Sequence, residues 1–473
     1  MRRILLFLII GSFYACDEKS NSSQSTYFAG EIVNPTSNYV VLYKNDIVLD
    51  SAKLDESNRF SFTIENIDEG LHHFDHSPEL QYIFLEKGDS ILVRLNTVAF
   101  DESLVFSGSN EDVNNFMIEM FLNYEDEEHL IYSYYKLAPE DFSNKIDSLR
   151  SQKINELNSL SDGEELSDNA FAMAKASIDY NSYLYKEKYP FYHKKKTGED
   201  TFHDLDSKFY AYRDNLNVNN ADLVYFRPYY DFMINHFGNL SYMACMKQCG
   251  MDAHLANKNH LHLNRHKMVL IDSIVLEQDL RDNLFRNVTM DYLLKVHESS
   301  KDCDSFIADF EKLSKNQHHK DEITNLYFGI KNLQAKKEIP DLLVENSVGE
   351  ETSLKEIAKD KNTVFYFWTA TQKRHFRNVS KHIKKLRKSH PEYTYVGINL
   401  KTSKPQWLAM VHEHQLDTLN QYWGNDFEHI QQSLIVDGLN KCVITEDTLI
   451  VDAFANLYYS FSPNKTKKAL VVK

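Results

Sequence analysis

Short runs of alternating apolar and polar residues fill the segment from residue 27 to about residue 106. These runs are rich in Val, Ile, Phe and Tyr, and turn residues such as Asn34-Pro35 and Glu69-Gly70 separate them; examples are residues 39–43, 60–64, 82–85 and 91–95. Several short strands at this spacing are typical of an antiparallel sandwich or barrel. The sequence therefore predicts an N-terminal all-β domain over residues 27–108.

The hydrophobic period changes to a helical one after the cluster Ser109–Asp112. Behind this capping segment, apolar residues recur every three or four positions, at Val113, Phe116, Met117, Met120, Phe121 and Tyr124. Such spacing indicates an amphipathic helix. Further helix-like segments follow, with few glycines or prolines, at residues 146–160, 170–185 and 323–333. We therefore expect a helical middle region over residues 109–337.

Strand-like and helix-like segments alternate after Pro340. An apolar strand at Val364–Trp368 precedes a helix with Phe376, Val379, Ile383 and Leu386 on one face. A second strand follows at residues 395–400, and a hairpin-like pair follows at residues 442–444 and 449–451. This order is that of an α/β sandwich. The sequence thus predicts a multidomain chain whose C-terminal domain, residues 338–473, is α/β.

The amino terminus has the three regions of an export signal. Arginines at positions 2 and 3 precede the apolar segment Ile4–Ile10, which is too short to span a bilayer. The segment Phe13-Tyr14-Ala15-Cys16 comes next and suggests lipoprotein processing, with cleavage before Cys16 and acylation of that residue, although Phe13 replaces the usual leucine. An ordinary secretory signal is the alternative. The polar tether at residues 17–26 favours the lipoprotein. Several acyl chains on Cys16 would anchor the protein durably. We expect a lipid-anchored envelope protein of the outer membrane, on its periplasmic or surface face.

Composition and charge restrict the function further. Hydrophobic residues make up 42% of the 473 residues, and aromatic residues make up 13%, which is ample for folded domains. A formal net charge of -16 argues against nucleic acid as a partner, because phosphate contacts need a basic surface.

Several short motifs after residue 340 resemble one known family. These motifs lie at Pro340–Leu342, Gly349–Leu354, Phe367–Trp368 and Asn440–Glu446. In that order, they are similar to the entry motif, the second motif, the strand before the active site and the late strand of TlpA-type thioredoxin-like domains. Exported thiol-disulfide proteins carry such domains. The resemblance covers residues 340 to about 460 and implies a thioredoxin-like fold. The upstream segments resemble, more weakly, those of such lipoproteins from the Bacteroidetes.

The residues at the redox positions depart from this family. By counting from Phe367-Trp368, Gln372 and His375 occupy the places of the two redox cysteines, and Asn440 occupies the place of the cis-proline. Neither glutamine nor histidine can form a mixed disulfide, which dithiol exchange requires. We therefore expect no catalytic residue here. The favoured function is binding or assembly, with an unknown envelope protein or peptide as the partner.

Two other chemistries stay open. Cys245 and Cys249 would share one face of a helix. They could act as a thiol-disulfide oxidoreductase pair, form a strained disulfide, supply two soft metal ligands, or simply pack as apolar side chains. A further alternative is another enzyme that uses His375. The histidines at positions 254, 260, 262 and 266 lack an accompanying carboxylate pattern, and residues 72–76 have the character of a polar loop, so we predict neither a metal nor a cofactor.

Overall fold

The computed structural model describes residues 25–163, 166–199, 205–250 and 260–461. The chain forms two compact units, residues 1–239 and residues 240–473. The predicted domain boundaries at residues 108 and 337 stay predictions, and Cys16 with its signal and most of the tether lies outside the described residues. No helix in the described part of the chain is both long and apolar enough to span a membrane.

The N-terminal part of the first unit contains the predicted strands. They are β1 (Thr26–Val33), β2 (Tyr39–Lys44), β3 (Ile47–Lys53), β4 (Arg59–Ile64), β5 (Gly70–His76), β6 (Glu79–Leu85), β7 (Ser90–Asn96) and β8 (Val105–Gly108). Two four-stranded sheets form, in the orders β4-β1-β7-β8 and β3-β2-β5-β6. Only the β1–β7 pair is parallel among these strands. Phe28 and Phe62 from one sheet share a core with Phe74 from the other, so the two sheets form a sandwich.

The predicted polar loop at residues 72–76 is wrong, because these residues belong to strand β5. His72 and His76 alternate inward and are almost fully buried. His72 Nδ1 lies 3.0 Å from the Gly70 carbonyl oxygen, and His76 Nδ1 lies 3.1 Å from that of Tyr39. These contacts hold one nitrogen of each buried ring to the backbone of the sheet, so residue polarity alone misrepresents the segment.

Helices complete the first unit. They are α1 (Phe100–Ser103), α2 (Glu111–Tyr134), α3 (Pro139–Gly163), α4 (Asp168–Thr197) and α5 (Arg227–Gln248), and the division between the two units falls within α5. Ser167 caps the start of α4 by accepting a hydrogen bond from the Ala170 amide. The ring of Tyr135, the residue after α2, packs against Phe142 of α3 and Tyr189 of α4.

The second unit begins with more helices, as the helical period predicts. They are α6 (His260–Ile274), α7 (Gln278–Val296), α8 (Lys301–Leu313) and α9 (Gln317–Asn332). Side chains of Glu277, Ser300 and Asn316 cap α7, α8 and α9, each accepting a backbone hydrogen bond from the residue three positions on.

A seven-stranded sheet follows in the order β10-β9-β13-β12-β11-β14-β15. Its strands are β9 (Leu343–Glu345), β10 (Glu351–Ser353), β11 (Asn362–Trp368), β12 (Thr394–Asn399), β13 (Gln421–Trp423), β14 (Lys441–Glu446) and β15 (Leu449–Asn456). The helices between them are α10 (Leu354–Ala358), α11 (Lys373–Ser389), α12 (Lys404–Glu413) and α13 (Phe427–Ser433).

The central strand β11 explains the apolar run in the sequence. It lies between β12, to which it is parallel, and β14, to which it is antiparallel, and six of its seven residues are buried. A strand covered on both faces needs apolar side chains at consecutive positions. The predicted order of strand, helix, strand and late antiparallel pair is confirmed in β11-α11-β12 and β14-β15, which is a thioredoxin-like arrangement.

Candidate functional site

A polar turn between β11 and α11 places the first predicted site residue. The Ala370 amide donates a hydrogen bond of 3.0 Å to Thr402 Oγ1, and Thr369 Oγ1 lies 3.2 Å from the same hydroxyl. This contact holds the turn against the loop after β12. Gln372 then precedes α11 as its exposed N-cap residue, but its side chain makes no capping hydrogen bond. The first backbone amides of α11 therefore lack a side-chain acceptor from this position.

His375 lies in the first turn of α11. Both ring nitrogens are buried, and neither makes a hydrogen bond of normal geometry to the described residues. Burial lowers the pKa of His375, while the Leu439 backbone and the Asn440 side chain oppose that shift only partly. The imidazole is therefore neutral at pH 7. It offers one donor and one acceptor rather than a charge.

Asn440 directly precedes β14 and lies opposite the start of α11. It lines the same open groove as Gln372 and His375, a groove of about 860 Å³. The structure thus brings together the three residues that the resemblance assigns to the redox pair and the cis-proline. These three residues contribute amides and a neutral imidazole to the groove, and none of the described residues that line it contains sulfur.

The walls of the groove are strongly basic. Helix α11 contains eight Lys and Arg residues and no Asp or Glu. Among the described residues, Arg387 is the only one of these eight that forms an ion pair, with Asp417. Four of the others line the groove, at Lys373, Arg374, Lys381 and Lys385. The sequence analysis did not identify this surface, although a basic run in a chain of net charge -16 was a visible signal.

Cys245 and Cys249 lie at the end of α5. The Cys249 amide donates to the Cys245 carbonyl over 3.1 Å, so the helical turn continues and both side chains share a face, as predicted. Both thiols are free; Cys245 is buried and Cys249 is exposed. Burial and the neighbouring Cys249 raise the pKa of Cys245 to about 11. A thiol of high pKa at a helix C-terminus is a poor nucleophile, so the geometry does not favour the oxidoreductase alternative.

The other cysteines of the described chain belong to the core. Cys442 in β14 is fully buried, and burial raises its pKa well above the usual value. Cys303 in α8 is also fully buried, and its sulfur lies 3.4 Å from Ser300 Oγ.

The predicted histidine group is only partly described. His254 lies outside the described residues, whereas His260, His262 and His266 lie on α6. The structure brings His262 to the Cys245–Cys249 pair: one ligand atom from each of the three residues lies within 4.8 Å of the others. The sequence analysis does not predict this contact between helices.

Comparisons with known proteins find no matching family model and no matching curated protein. Thioredoxin-like domains of solved structures do match. The thioredoxin domain of a thiol-disulfide oxidoreductase from Bacteroides vulgatus is 19% identical, with 29% of this chain and 98% of that chain covered and a TM-score of 0.24. A thiol-disulfide oxidoreductase from Bacteroides fragilis is 18% identical, and the match covers 28% of this chain and 100% of that chain with a TM-score of 0.23. The description of the fold rests on the strand order and connections given above.

Proposed function

We propose that this protein is a lipid-anchored binding protein of the bacterial cell envelope. Its thioredoxin-like domain binds an extended acidic peptide segment of a partner protein, without thiol chemistry. The observation that carries this proposal is the groove beside α11, where Gln372, His375 and Asn440 lie among cations that have no ion-pair partner in the described chain. The signal pattern ending at Cys16 supports the anchor.

The chemistry of the groove supports binding rather than exchange. Disulfide exchange needs an accessible thiolate, and the positions that would hold it carry an amide and an imidazole. Cys442, two residues beyond Asn440, has no solvent exposure. Its raised pKa also disfavours the thiolate. No accessible sulfur therefore lies among the described residues of the groove.

The spacing of the cations supports an extended acidic ligand. Lys381 and Lys385 are one helical turn apart, which places their Cβ atoms about 6 Å apart. On an extended chain, side chains on the same face recur about every 7 Å. Carboxylates at alternate positions of a peptide can therefore pair with successive turns of α11. The uncapped N-terminus of α11 adds positive potential at one end, and Gln372 and Asn440 can bond to the peptide backbone.

The binding test compares two charge reversals on the same helix. A fluorescent peptide of alternating Glu and Thr serves as the probe, and anisotropy reports its affinity for the full chain. We expect Lys381→Glu with Lys385→Glu to weaken binding at least about tenfold, because two pairs of roughly 0.5 to 1 kcal/mol become repulsive contacts. Affinity should also fall as salt is added.

The matched control is Lys384→Glu with Lys388→Glu. These two lysines are exposed on α11 but do not line the groove, and the change in net charge is identical. Equal losses in both double variants would contradict a site in the groove and would indicate only a general effect of charge.

A separate experiment tests the proposed lack of disulfide-exchange activity. With dithiothreitol present, the full chain should reduce insulin no faster than a heat-treated sample of the same protein. Substituting any one cysteine should then leave the rate of insulin reduction unchanged. Turnover that disappears on replacing Cys245 or Cys249 would favour the oxidoreductase alternative instead.

A further inference from the structure

Helices α5 and α6 meet at a buried serine in the second unit. Ser241 has no solvent exposure, and its Oγ donates to the Leu263 carbonyl over 3.1 Å. The same hydroxyl lies 3.3 Å from His266 Nδ1. Ser241 lies one turn before Cys245, and Leu263 directly follows His262. This contact therefore fixes the first turn of α6 beside the last turns of α5.

Three strong metal-binding groups converge beside this contact. The Sγ atoms of Cys245 and Cys249 and one ring nitrogen of His262 all lie within 4.8 Å of one another. Two of these groups come from consecutive turns of one helix and the third from its neighbour. Such an arrangement encloses a point that an ion could occupy at ordinary sulfur and nitrogen bond lengths of about 2.3 and 2.0 Å after small rotations of the side chains.

We infer that Cys245, Cys249 and His262 form a binding site for a zinc ion. Two thiolates and one imidazole are a donor set that suits zinc, which prefers tetrahedral coordination. Three protein ligands leave the fourth position to a water molecule. This site is separate from the groove beside α11, and the inference does not depend on the proposed binding function.

The different exposure of the two cysteines suits reversible loading. Cys249 is exposed and Cys245 is buried, so an ion can enter from the side of Cys249 and end against a sulfur shielded from water. Both thiols lose their protons when a divalent ion binds.

Metal titration of the full chain tests the site directly. The reduced protein, freed of metal, is titrated with zinc in competition with a chromophoric chelator, and separately with cobalt. We expect one zinc per chain, and a cobalt spectrum with a thiolate charge-transfer band and tetrahedral visible bands. Cys249→Ser and His262→Ala should each weaken zinc binding by roughly a hundredfold or more, because each removes a direct ligand.

The control variant is His260→Ala, in the same first turn of α6 but outside the cluster. It should bind zinc like the unchanged protein. Cys249 is exposed, so its replacement by serine should leave the circular dichroism spectrum unchanged. The inference is overturned by the absence of a charge-transfer band, by equal losses in His260→Ala and His262→Ala, or by a Cys245–Cys249 disulfide in protein isolated from the envelope.

Discussion

The carboxylate of Glu187 lies fully buried in the first unit, enclosed by hydrogen-bond donors from distant parts of the chain. It accepts hydrogen bonds from His236 Nδ1 at 2.7 Å, Tyr212 Oη at 2.8 Å and Asn239 Nδ2 at 2.7 Å, and it pairs with Arg213. Burial raises the pKa of Glu187, but these partners outweigh burial and hold the pKa below its usual value. The charged form is therefore the one that the folded protein stabilises.

We expect Glu187→Gln to lower the free energy of unfolding of the first unit by about 3 kcal/mol at pH 7, because it leaves the Arg213 guanidinium without its counterion. A depressed carboxyl pKa contributes stability above the unfolded pKa near 4.5, and this contribution is lost as the pH falls through the folded pKa. The difference between the two proteins should therefore shrink towards pH 3.5.

Urea titrations followed by tyrosine circular dichroism measure this difference at both pH values. Glu119→Gln on α2 is the control, since Glu119 is exposed. A difference that does not depend on pH, or an equal effect in the control, would show that the charge of Glu187 does not stabilise the fold.

At the residue scale, the sequence predicts which face of an element a side chain occupies better than it predicts which distant residues that side chain contacts. The helical spacing of Cys245 and Cys249 correctly placed both on one face. The contact with His262 was not predictable, because it depends on how α6 packs against α5. The partners of Glu187 are likewise 25 to 52 residues away along the chain, and no periodicity links them.

At the scale of single elements, two serines allow a direct comparison of helix caps. Ser353 precedes α10 and forms a capping box: its Oγ accepts from the Glu356 amide, and the Glu356 carboxylate accepts from the Ser353 amide, both over 3.2 Å. Ser403 precedes α12 in the same position, but its side chain makes no capping hydrogen bond.

Ser353→Ala should therefore lower the free energy of unfolding of the thioredoxin-like domain by about 1 kcal/mol. Ser403→Ala should change it by less than about 0.5 kcal/mol. Urea titration followed by tryptophan fluorescence reports on this domain alone, because the chain's three tryptophans all lie there, at Trp368, Trp407 and Trp423. Equal losses in the two variants would contradict the capping assignment.

Elements with a strong period were predicted well, and short or polar elements were not. The four apolar positions predicted for one face of α11 are all buried, at Phe376, Val379, Ile383 and Leu386. Strands β9 and β10 have only three residues each, which is too short for a recognisable alternation. The basic face of α11 was visible as a run of charges, but its place beside Gln372 and Asn440 depends on the fold.

At the scale of the whole molecule, the amino-acid sequence indicates the order of β-rich, helical and α/β regions along the chain. It does not indicate where the compact units divide. The helical period is the same on both sides of residues 239 and 240, where the two units divide. The division follows from which helices pack together, and a period describes only one helix at a time. The predicted helical region therefore contributes to both units.

The lipid anchor is a prediction about the intact protein in its cell. If Cys16 is acylated, the native protein should sediment with membranes and enter the detergent phase. Cys16→Ser should move it to the soluble fraction or leave it unprocessed, because the acyl chains supply the anchoring free energy. Mature protein with an unmodified Cys16 in the soluble fraction would contradict the anchor.

The described residues that line the groove beside α11 contain no sulfur, and this determines how the site responds to oxidants. A thioredoxin-like site with cysteines exists in two forms, and its occupancy follows the redox poise of its compartment. Amide, imidazole and ammonium groups have no corresponding oxidation ladder. Peroxide should therefore leave ligand affinity in the groove unchanged. If the protein binds a peptide in the cell envelope as proposed, it can then hold that ligand whether its surroundings are reducing or oxidising.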